Sequence, residues 1–386
     1  MRVLFSSTWG YGHLYPMLPL ARAFISAGHE LLWATSADAC PHLAAAGVDV
    51  AAAGLSGPEL QERVPALRTL AEGVNPVDRA AVMFPRLFGE TFAPPMTADL
   101  LPLATQWRPD LLIHEHGELA SPLVGAVLGL PSVTHAFGGA IPAEIVADAG
   151  ERLAALWAAH GQSTPPYAGC FTSLYLDICP PSVQSVPTDH IEATQQLRPV
   201  PDTGTTPETV PAYLEDDGRP LVYVTLGTVQ NRSPVLRPVV EAVSELQVRL
   251  LVTVGPDGDP AALGSQPANV TVEHRVNQAR VLEHCAVVVS HAGSGTLLGA
   301  LAHGIPQLCL PQAADQFRNA EGGDRAGAAL VLAPADTSPE AVTNAVERLL
   351  TEESFRRAAV RLAAEIDAMP SPAGVVDVLT HRFAPS

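Results

Sequence analysis

The 386-residue sequence contains no lysine, so all 22 of its basic residues are arginine. A P-loop needs a lysine on the nucleotide phosphates, and a Schiff-base enzyme needs a lysine amine. The absence of lysine therefore excludes both classes. The 22 basic residues are outnumbered by 40 acidic ones, which gives a formal net charge of −18. This charge argues against nucleic acid and anionic membranes as partners, because both require a basic surface.

Cysteine and long apolar runs are also scarce. The five cysteines are widely spaced and form no CxxC pair, so the sequence predicts neither a disulfide framework nor a zinc site. No stretch reaches 18 uninterrupted apolar residues, and the apolar run after Met1 is too short for a signal peptide. We therefore expect a cytoplasmic protein with no stable membrane insertion.

The sequence does contain an alternation of strands and helices that occurs twice, as in doubly wound parallel sheets. The first half is predicted to contain strands at 2–7, 30–35, 111–114 and 131–136 and helices at 14–27 and 121–128. The second half is predicted to contain strands at 221–225, 249–254, 287–290 and 307–310 and helices at 236–246 and 296–303. Two domains are expected, because single cores rarely grow beyond about 250–300 residues.

The predicted domain limits follow from composition. Residues 199–219 are rich in Pro, Thr, Asp and Gly without apolar periodicity, as expected of a linker. We predict an N-terminal domain at 1–198 and a C-terminal domain at 220–370. Residues 371–386 carry a helical stripe that Ser371 can cap. Two such domains are expected to face a central ligand cleft.

One motif in the second half suits a diphosphate. An apolar strand runs into His291-Ala292-Gly293-Ser294-Gly295-Thr296 and then into a helix. The amides of a helix N-terminus attract anions, and glycines allow close approach. An ordinary strand-to-helix turn has the same pattern. Further along, the carboxylate of Asp315 and the amide of Gln316 together suit sugar hydroxyls, which need both acceptors and donors.

In the first half, His13 follows the first strand, at the expected ligand-binding edge. Its titration range suits a general base, although a structural histidine fits the position equally well. The nearby Gly10-Tyr11-Gly12 lacks the third glycine of a dinucleotide fingerprint, which argues against a dehydrogenase. Asp257-Gly258-Asp259 has the form of a metal-binding DxD, but its Gly/Pro-rich context favours a turn.

The stretch HAGSGTLLGALAHGIPQLCLPQAADQFRNA, residues 291–320, resembles the donor-binding signature of the family 1 glycosyltransferases. The resemblance is to the bacterial branch that modifies macrolides, enediynes and aromatic polyketides, and the Ala-, Pro- and Gly-rich composition fits actinobacterial coding. Residues 12–16, GHLYP, match the family's catalytic-base motif. The resemblance implies an α/β GT-B fold, with two doubly wound Rossmann-like domains facing a cleft. It further implies that 1–198 binds the acceptor, that 220–370 binds the nucleotide sugar, and that the helix at 371–386 returns to the N-terminal domain.

The resemblance also implies roles for individual donor-site residues. His291 would bind the diphosphate and Asp315 with Gln316 the sugar. Those expected to lie along the phosphates are Thr228, Gly293, Ser294, Gly295 and Thr296. Arg275 and Val276 occupy the base-binding segment, where the family usually has Trp-Val-Pro-Gln. Because Arg275 replaces the tryptophan and Asn277 the proline, both uracil and thymine remain open.

On the acceptor side, the resemblance implies that His13 is the general base and that a carboxylate orients it. Glu115 lies where the family commonly has Asp, with Glu118 and Asp110 as alternatives. His114 and His116 flank it, but no third metal ligand has suitable spacing. The residues predicted to contact the acceptor are Tyr11, Met83, Phe84, Phe88 and Phe137. Such an apolar stripe is equally typical of a core.

The function implied is an inverting, metal-independent and cofactor-free transfer. A sugar, expected to be a deoxysugar, would move from a TDP- or UDP-sugar to a hydroxyl of a hydrophobic natural-product aglycone such as a polyketide. The partners are then small molecules, and a homodimer is compatible with the sequence. Two alternatives stay open: a nucleotide-sugar 2-epimerase of the same fold, and a non-catalytic nucleotide-sugar- or polyketide-binding protein.

Overall fold

The computed structural model of the chain describes residues 1–201, 214–215, 217–227, 233–255 and 258–384. The chain divides into two compact units. The first contains Met1–Cys179, Val186–Arg198 and Met369–Ser386, and the second contains Pro180–Ser185 and Pro199–Ala368. Most of the predicted linker, namely 202–213 and 216, lies outside the described residues.

The first unit contains a seven-stranded parallel sheet in the order β3-β2-β1-β4-β5-β6-β7. Its strands are β1 (Arg2–Ser6), β2 (Glu30–Thr35), β3 (Val50–Ala52), β4 (Leu111–Glu115), β5 (Ser132–His135), β6 (Leu174–Asp177) and β7 (Thr194–Gln196). Leu111, Leu112 and Ile113 of β4 have no exposed surface, because helices cover both faces of such a sheet.

The helices of the first unit lie between these strands, apart from the last one. They are α1 (Tyr11–Leu14), α2 (Leu18–Ser26), α3 (Cys40–Ala45), α4 (Gly57–Leu70), α5 (Arg79–Phe84), a π-helix (Pro85–Phe92), α6 (Ala93–Trp107), α7 (Ser121–Leu128), α8 (Ala143–Arg152), α9 (Ala154–Ala159) and a 3₁₀ turn (Pro166–Gly169). The helix predicted at 14–27 is wrong at its start. The structure has a short α1 and then a new helix from Leu18, with Pro19 in its first turn, where proline is tolerated.

The second unit repeats the plan with a six-stranded parallel sheet in the order β10-β9-β8-β11-β12-β13. Its strands are β8 (Leu221–Thr225), β9 (Arg249–Thr253), β10 (Val270–Glu273), β11 (Cys285–Ser290), β12 (Gln307–Cys309) and β13 (Ala329–Val331). Its helices are α10 (Leu236–Ser244), α11 (Gln278–Leu282), α12 (Ser294–Ala302), α13 (Gln316–Arg325), α14 (Pro339–Thr351) and α15 (Glu353–Ala368), with 3₁₀ turns at Pro260–Leu263 and Pro334–Asp336.

Each sheet has one switch point, where consecutive connections run to opposite sides. It lies between β1 and β4 in the first unit and between β8 and β11 in the second. Open α/β sheets bind ligands at this place, outside the carboxyl ends of the strands. Ligand-binding residues are therefore expected in the segments that follow these four strands.

The predicted domain limits differ from the structure in one respect. Pro180–Ser185 falls in the range predicted for the N-terminal domain but belongs to the second unit. The Ser185 hydroxyl donates to the carbonyl of Arg318, and the carbonyl of Gln184 accepts from Arg325. These long-range contacts have no local sequence pattern that could predict them.

The last helix, α16 (Pro372–Phe383), is part of the first unit and packs on α2. The Ser371 hydroxyl caps it by accepting from the amide of Gly374 at 3.2 Å. Val375, Val376 and Leu379 are buried. The end of the chain thus helps to build the unit that its first residues begin.

We expect Leu379→Ala to destabilise the first unit by about 2–5 kcal/mol, because a fully buried leucine leaves a cavity when truncated. Val378 on the same helix is 41% exposed, so Val378→Ala should change stability by no more than about 0.5 kcal/mol. Denaturant-dependent hydrogen exchange of the α2 amides measures both. Equal protection in the two variants would show that the α16 contact contributes little.

Candidate active site

The turn after β1 places His13 at the switch point of the first sheet. Gly10 precedes α1 with a φ of 133°, which side chains rarely adopt, and a Cβ there would lie 3.2 Å from Cδ2 of His13. The His13 side chain is 22% exposed. Its ring centroid lies 4.8 Å from that of Phe137 and 5.5 Å from that of Phe88. A partly accessible imidazole thus lies beside two aromatic rings.

Glu115, the last residue of β4, meets His13 from the adjacent strand. Its Oε1 lies 3.1 Å from Nδ1 of His13. The Thr8 hydroxyl and amide donate to the same oxygen at 2.7 and 3.3 Å, and the Gly117 amide donates to Oε2. The carboxylate is fully buried, so these donors replace the water that it has lost.

The electrostatics keep Glu115 ionised. Burial raises the pKa of Glu115, but the charge of His13 and the hydrogen bonds from His13, Thr8 and Gly117 outweigh burial and lower the pKa from 4.5 to about 2. The stability gained from this ionisation is therefore complete above about pH 4.5 and is lost as the pH falls toward 2. At neutral pH the carboxylate can orient His13 and stabilise its protonated form.

The other carboxylates considered as partners of His13 have different roles. Glu118 accepts hydrogen bonds from the Ser6 hydroxyl and the Ala120 amide, each at 2.6 Å. Asp110 accepts from the Arg2 amide at 2.7 Å. Of the three candidates, the structure brings Glu115 to His13.

We expect Glu115→Gln to move the acid limb of the kcat/KM profile to lower pH, because the amide no longer stabilises a protonated His13. Turnover at the optimum should also fall, since the ring loses its orienting partner. Glu118→Gln is the matched control and should leave the limb in place. The measurement is kcat/KM from pH 5 to 9. An unchanged limb in Glu115→Gln would contradict the pairing.

His114 and His116, which flank Glu115, make contacts with other protein groups. His114 donates to the Glu115 carbonyl and its other nitrogen lies 2.9 Å from the Thr134 hydroxyl, whereas His116 packs against Phe171 and Tyr175. Burial lowers the pKa of His116 to about 3. Within the part of the chain that the structure describes, no group of three His, Cys, Asp or Glu side chains could hold a metal ion.

The predicted acceptor residues differ in burial and in their contacts with His13. Phe88 lies on the π-helix, an element common at functional sites, and contacts Phe84 at 4.7 Å between centroids. Phe88 and Phe137 both border His13, while Phe84 is buried in the core beneath them. Met83 is half-buried on α5.

Tyr11 lies on α1 beside two further polar or aromatic side chains. Its ring stacks on Tyr15 at 5.4 Å, and its hydroxyl lies 3.0 Å from Nε2 of His42. Its contact with the acceptor stays a prediction.

In the second unit, His291 follows β11 and lies at the corresponding switch point. A Cβ on Gly227 would lie 2.7 Å from Cε1 of His291, and a Cβ on Gly293 would lie 2.5 Å from Nε2. The imidazole is thus held between two glycines. Burial lowers the pKa of His291 from 6.5 to about 4, although nearby Asp315 raises it. At neutral pH the ring is uncharged and can donate one hydrogen bond.

Asp315 and Gln316 lie at the start of α13. Asp315 Oδ2 accepts from the Ser294 hydroxyl at 2.7 Å. Gln316 Oε1 accepts from the amides of Gln312 and Ala313 at 2.8 and 3.0 Å. The carbonyl oxygen of Gln316 therefore stabilises its own loop, and only its NH₂ group suits the predicted contact with a sugar.

The predicted base-binding segment contacts the first turn of α12, because the side-chain amide of Gln278 donates to the Thr296 hydroxyl at 3.0 Å. Arg275 is exposed, whereas the partly buried Val276 packs against the core. The contacts of Arg275 and Val276 with the donor stay predictions. Thr228 lies outside the described residues, as does Asp257. Asp259 caps a 3₁₀ turn by accepting from the Ala261 amide at 2.9 Å, as the turn interpretation predicts.

Gly295 offers a test of where the diphosphate lies. A Cβ added there meets no protein atom within 4 Å. Gly295→Ala should therefore fold normally and gain up to about 1 kcal/mol of stability in the first turn of α12. It should nevertheless weaken TDP binding, since the methyl group occupies the space above the turn. Calorimetry with TDP and a thermal melt measure the two effects, and unchanged TDP affinity would contradict this placement.

Two family models match the chain. The N-terminal domain of the erythromycin biosynthesis protein CIII-like family matches residues 22–227, and its C-terminal domain matches residues 237–381. The chain belongs to the erythromycin biosynthesis protein CIII-like family. It is a glycosyltransferase with the GT-B fold.

The helices that the structure describes are too short or too polar to span a membrane.

Relatives of this CIII-like glycosyltransferase are known in Streptomyces. The chain is 34% identical to L-demethylnoviosyl transferase of Streptomyces niveus, covering 98% of this chain and 97% of the relative. It is also 34% identical to elloramycin glycosyltransferase ElmGT of Streptomyces olivaceus, covering 99% and 98%. These relatives support the transferase interpretation over the epimerase.

Solved structures show the same fold. Spinosyn rhamnosyltransferase SpnG complexed with thymidine diphosphate matches with a TM-score of 0.81 at 30% identity, over 98% of this chain and 100% of that one. SpnG complexed with spinosyn aglycone matches with a TM-score of 0.81 at 29% identity, over the same shares.

Two residues of the CIII-like glycosyltransferase were not found from its sequence. Thr8 donates twice to Glu115, and Asn319 lies against Asp315. Neither lies in a pattern that indicates a function. Asn319 falls within the donor-binding stretch, but no chemical argument singled it out.

Proposed function

We propose that the protein transfers a sugar from a TDP-sugar to a hydroxyl of a hydrophobic aglycone, with inversion at the anomeric carbon. The observation that carries the proposal is the buried, ionised Glu115 at 3.1 Å from a partly exposed His13. A carboxylate in this position orients a general base and stabilises its protonated state. Phe88 and Phe137 supply an apolar wall beside it.

In this mechanism His13 takes the proton of the acceptor hydroxyl as that oxygen attacks the anomeric carbon. The bond from that carbon to the diphosphate breaks, and the leaving group carries away the electron pair. The His291 ring and the amides at the start of α12 stabilise its charge. Asp315 and the NH₂ group of Gln316 hold the sugar, and Arg275 packs on the base.

We propose TDP, and not UDP, as the nucleotide of the donor, because the solved structure of SpnG holds thymidine diphosphate. SpnG supports a deoxysugar donor, because it is a rhamnosyltransferase and rhamnose is a 6-deoxy sugar. Its complex with spinosyn aglycone supports a natural-product acceptor such as a polyketide. No metal or cofactor is needed in this mechanism, since protein donors neutralise the leaving group.

The test is to incubate the protein with TDP- and UDP-sugars and a panel of aromatic and macrolide aglycones, and to read products by mass spectrometry. Transfer from a TDP-sugar, with an inverted linkage by NMR, is the expected result. Interconversion of nucleotide sugars without an acceptor would support the epimerase instead, and binding without turnover would support a silent binding protein.

Chelation tests the absence of a metal requirement. We expect millimolar EDTA to leave the rate of sugar transfer unchanged, because the proposed leaving-group contacts are a histidine and backbone amides. Addition of Mg²⁺ or Mn²⁺ after chelation is the control. A rate that falls with EDTA and returns with either ion would revive a metal role for Asp259 and its neighbours.

A further inference from the structure

Asn319 lies at the meeting point of the two parts of the predicted donor site. It is on the first turn of α13, four residues after Asp315, and it is buried. Its Nδ2 lies 2.8 Å from Oδ2 of Asp315, 3.0 Å from the Ser294 hydroxyl and 3.0 Å from the Ala292 carbonyl. One amide group therefore contacts both the turn after β11 and the carboxylate of Asp315.

The hydrogen bonds of this cluster all lead toward Asp315 or the Ala292 carbonyl. The NH₂ group of Asn319 has two hydrogens for three acceptors, and the Ser294 hydroxyl donates its own hydrogen to Asp315 Oδ2 at 2.7 Å. Oδ2 thus accepts from two side chains, which leaves Oδ1 as the oxygen for a ligand hydroxyl. Without these donors the carboxylate would be free to rotate.

The same amide holds a strained part of the turn. Ala292 has a φ of 61°, a left-handed conformation that is unfavourable for a non-glycine residue. Its carbonyl accepts from Asn319, and its amide donates to the Ser290 hydroxyl at 3.1 Å. This turn sets the positions of His291 and of the first amides of α12. Strain of this kind persists only where surrounding contacts maintain it.

We propose that Asn319 is a positioning residue that joins the diphosphate-binding turn and the sugar-binding carboxylate into one rigid unit. The inference rests on the proposed function, since it takes Asp315 as the sugar contact. Its consequence is that a nucleotide sugar, which touches both parts, depends on Asn319 more than the free nucleotide, which touches only the turn.

Asn319→Leu removes the donor while nearly keeping the volume. We expect the KM for the TDP-sugar to rise about 10-fold or more, in the range for a lost hydrogen bond to a charged group. The Kd for TDP should also rise, but by a factor several times smaller than the factor for the TDP-sugar. In an Asp315→Asn background the effect of Asn319→Leu on the TDP-sugar should shrink, because residues that act through one another are not additive.

Asn319→Asp adds a readout that packing alone does not predict. The introduced carboxylate would face Asp315, and two carboxylates this close hold one proton between them at low pH. Relative to the wild type, TDP-sugar binding by Asn319→Asp should therefore recover as the pH falls from 8 to 5.5. Asn319→Leu has no proton to gain and should not recover.

Equal losses for TDP and TDP-sugar, additivity with Asp315→Asn and no recovery at low pH would together overturn the inference and leave Asn319 as a packing residue. If Asn319→Leu does not fold, Asn319→Ala removes the same donor without an added branch and should again weaken TDP-sugar binding more than TDP binding. If the wild type transfers sugar but no variant loses more TDP-sugar binding than TDP binding, only this inference is wrong. If the wild type binds no TDP-sugar, the proposed function is wrong.

Discussion

Replacing His13 with alanine should lower turnover by roughly 10²- to 10⁴-fold, the usual contribution of a general base. The variant keeps Glu115 buried without the imidazole at 3.1 Å from its carboxylate, so some loss of stability is expected as well. Nucleotide binding should stay close to the wild type, because the residues predicted to bind TDP belong to the second unit. The measurements are kcat with a TDP-sugar and the Kd for TDP.

The matched control is His381→Ala, which removes an exposed histidine of α16 in the same unit. It should keep wild-type turnover. If His13→Ala also keeps it, His13 has a structural role and the proposed base is wrong. If both turnover and TDP binding collapse in His13→Ala, the variant is misfolded, and a melting curve shows which case applies.

Replacing His291 with alanine should weaken TDP binding by about 1.5–3 kcal/mol, or roughly 10- to 150-fold, because a hydrogen bond to a charged phosphate is lost. The effect should be specific to this ring, which Gly227 and Gly293 hold at the switch point. His284 in the same unit is exposed, so His284→Ala is the matched control and should bind TDP normally. Unchanged TDP affinity in His291→Ala would show that the diphosphate lies elsewhere.

The pH dependence of this loss reports how His291 acts. Its pKa is lowered by burial to about 4, so the free ring is neutral at both pH 6.5 and pH 8.5. A neutral donor should contribute equally at the two values, and the ratio of the Kd values of variant and wild type should stay constant. A ratio that grows as the pH falls would instead indicate a protonated ring held by the phosphates.

The longer buried strands and the two-domain plan could be predicted from the sequence, since strands such as β4 and β8 are continuous apolar runs between turn residues. The three-residue strands β3, β7 and β13 could not, because so few residues carry no period. The equally short β12 lies in the apolar run predicted as a strand at 307–310. The helix at 14–27 was extended too far toward its N-terminus. Apolar spacing continues through Pro16 there, although the chain turns at that point.

For the candidate site, local motifs were enough to propose His13 and the turn at His291, since each motif is a contiguous segment beside a strand end. Glu115 was proposed from the family resemblance, because it lies at the end of a predicted strand where the family commonly has Asp. Thr8 and Asn319 escaped prediction because their contacts depend on the fold: Thr8 donates to a residue 107 positions away, and Asn319 to one 27 positions away. A single sequence holds no signal for such pairs.

The place of α16 in the first unit affects how the chain can fold during synthesis. N-terminal domains usually fold first as they leave the ribosome. Here Met369–Ser386 belongs to the first unit, so α2 keeps its apolar face uncovered until α16 has been synthesised. Residues 180–368 have all been made by then, and the second unit can mature first. A nascent chain stalled near Ala368 would therefore carry one finished unit and one that chaperones must protect.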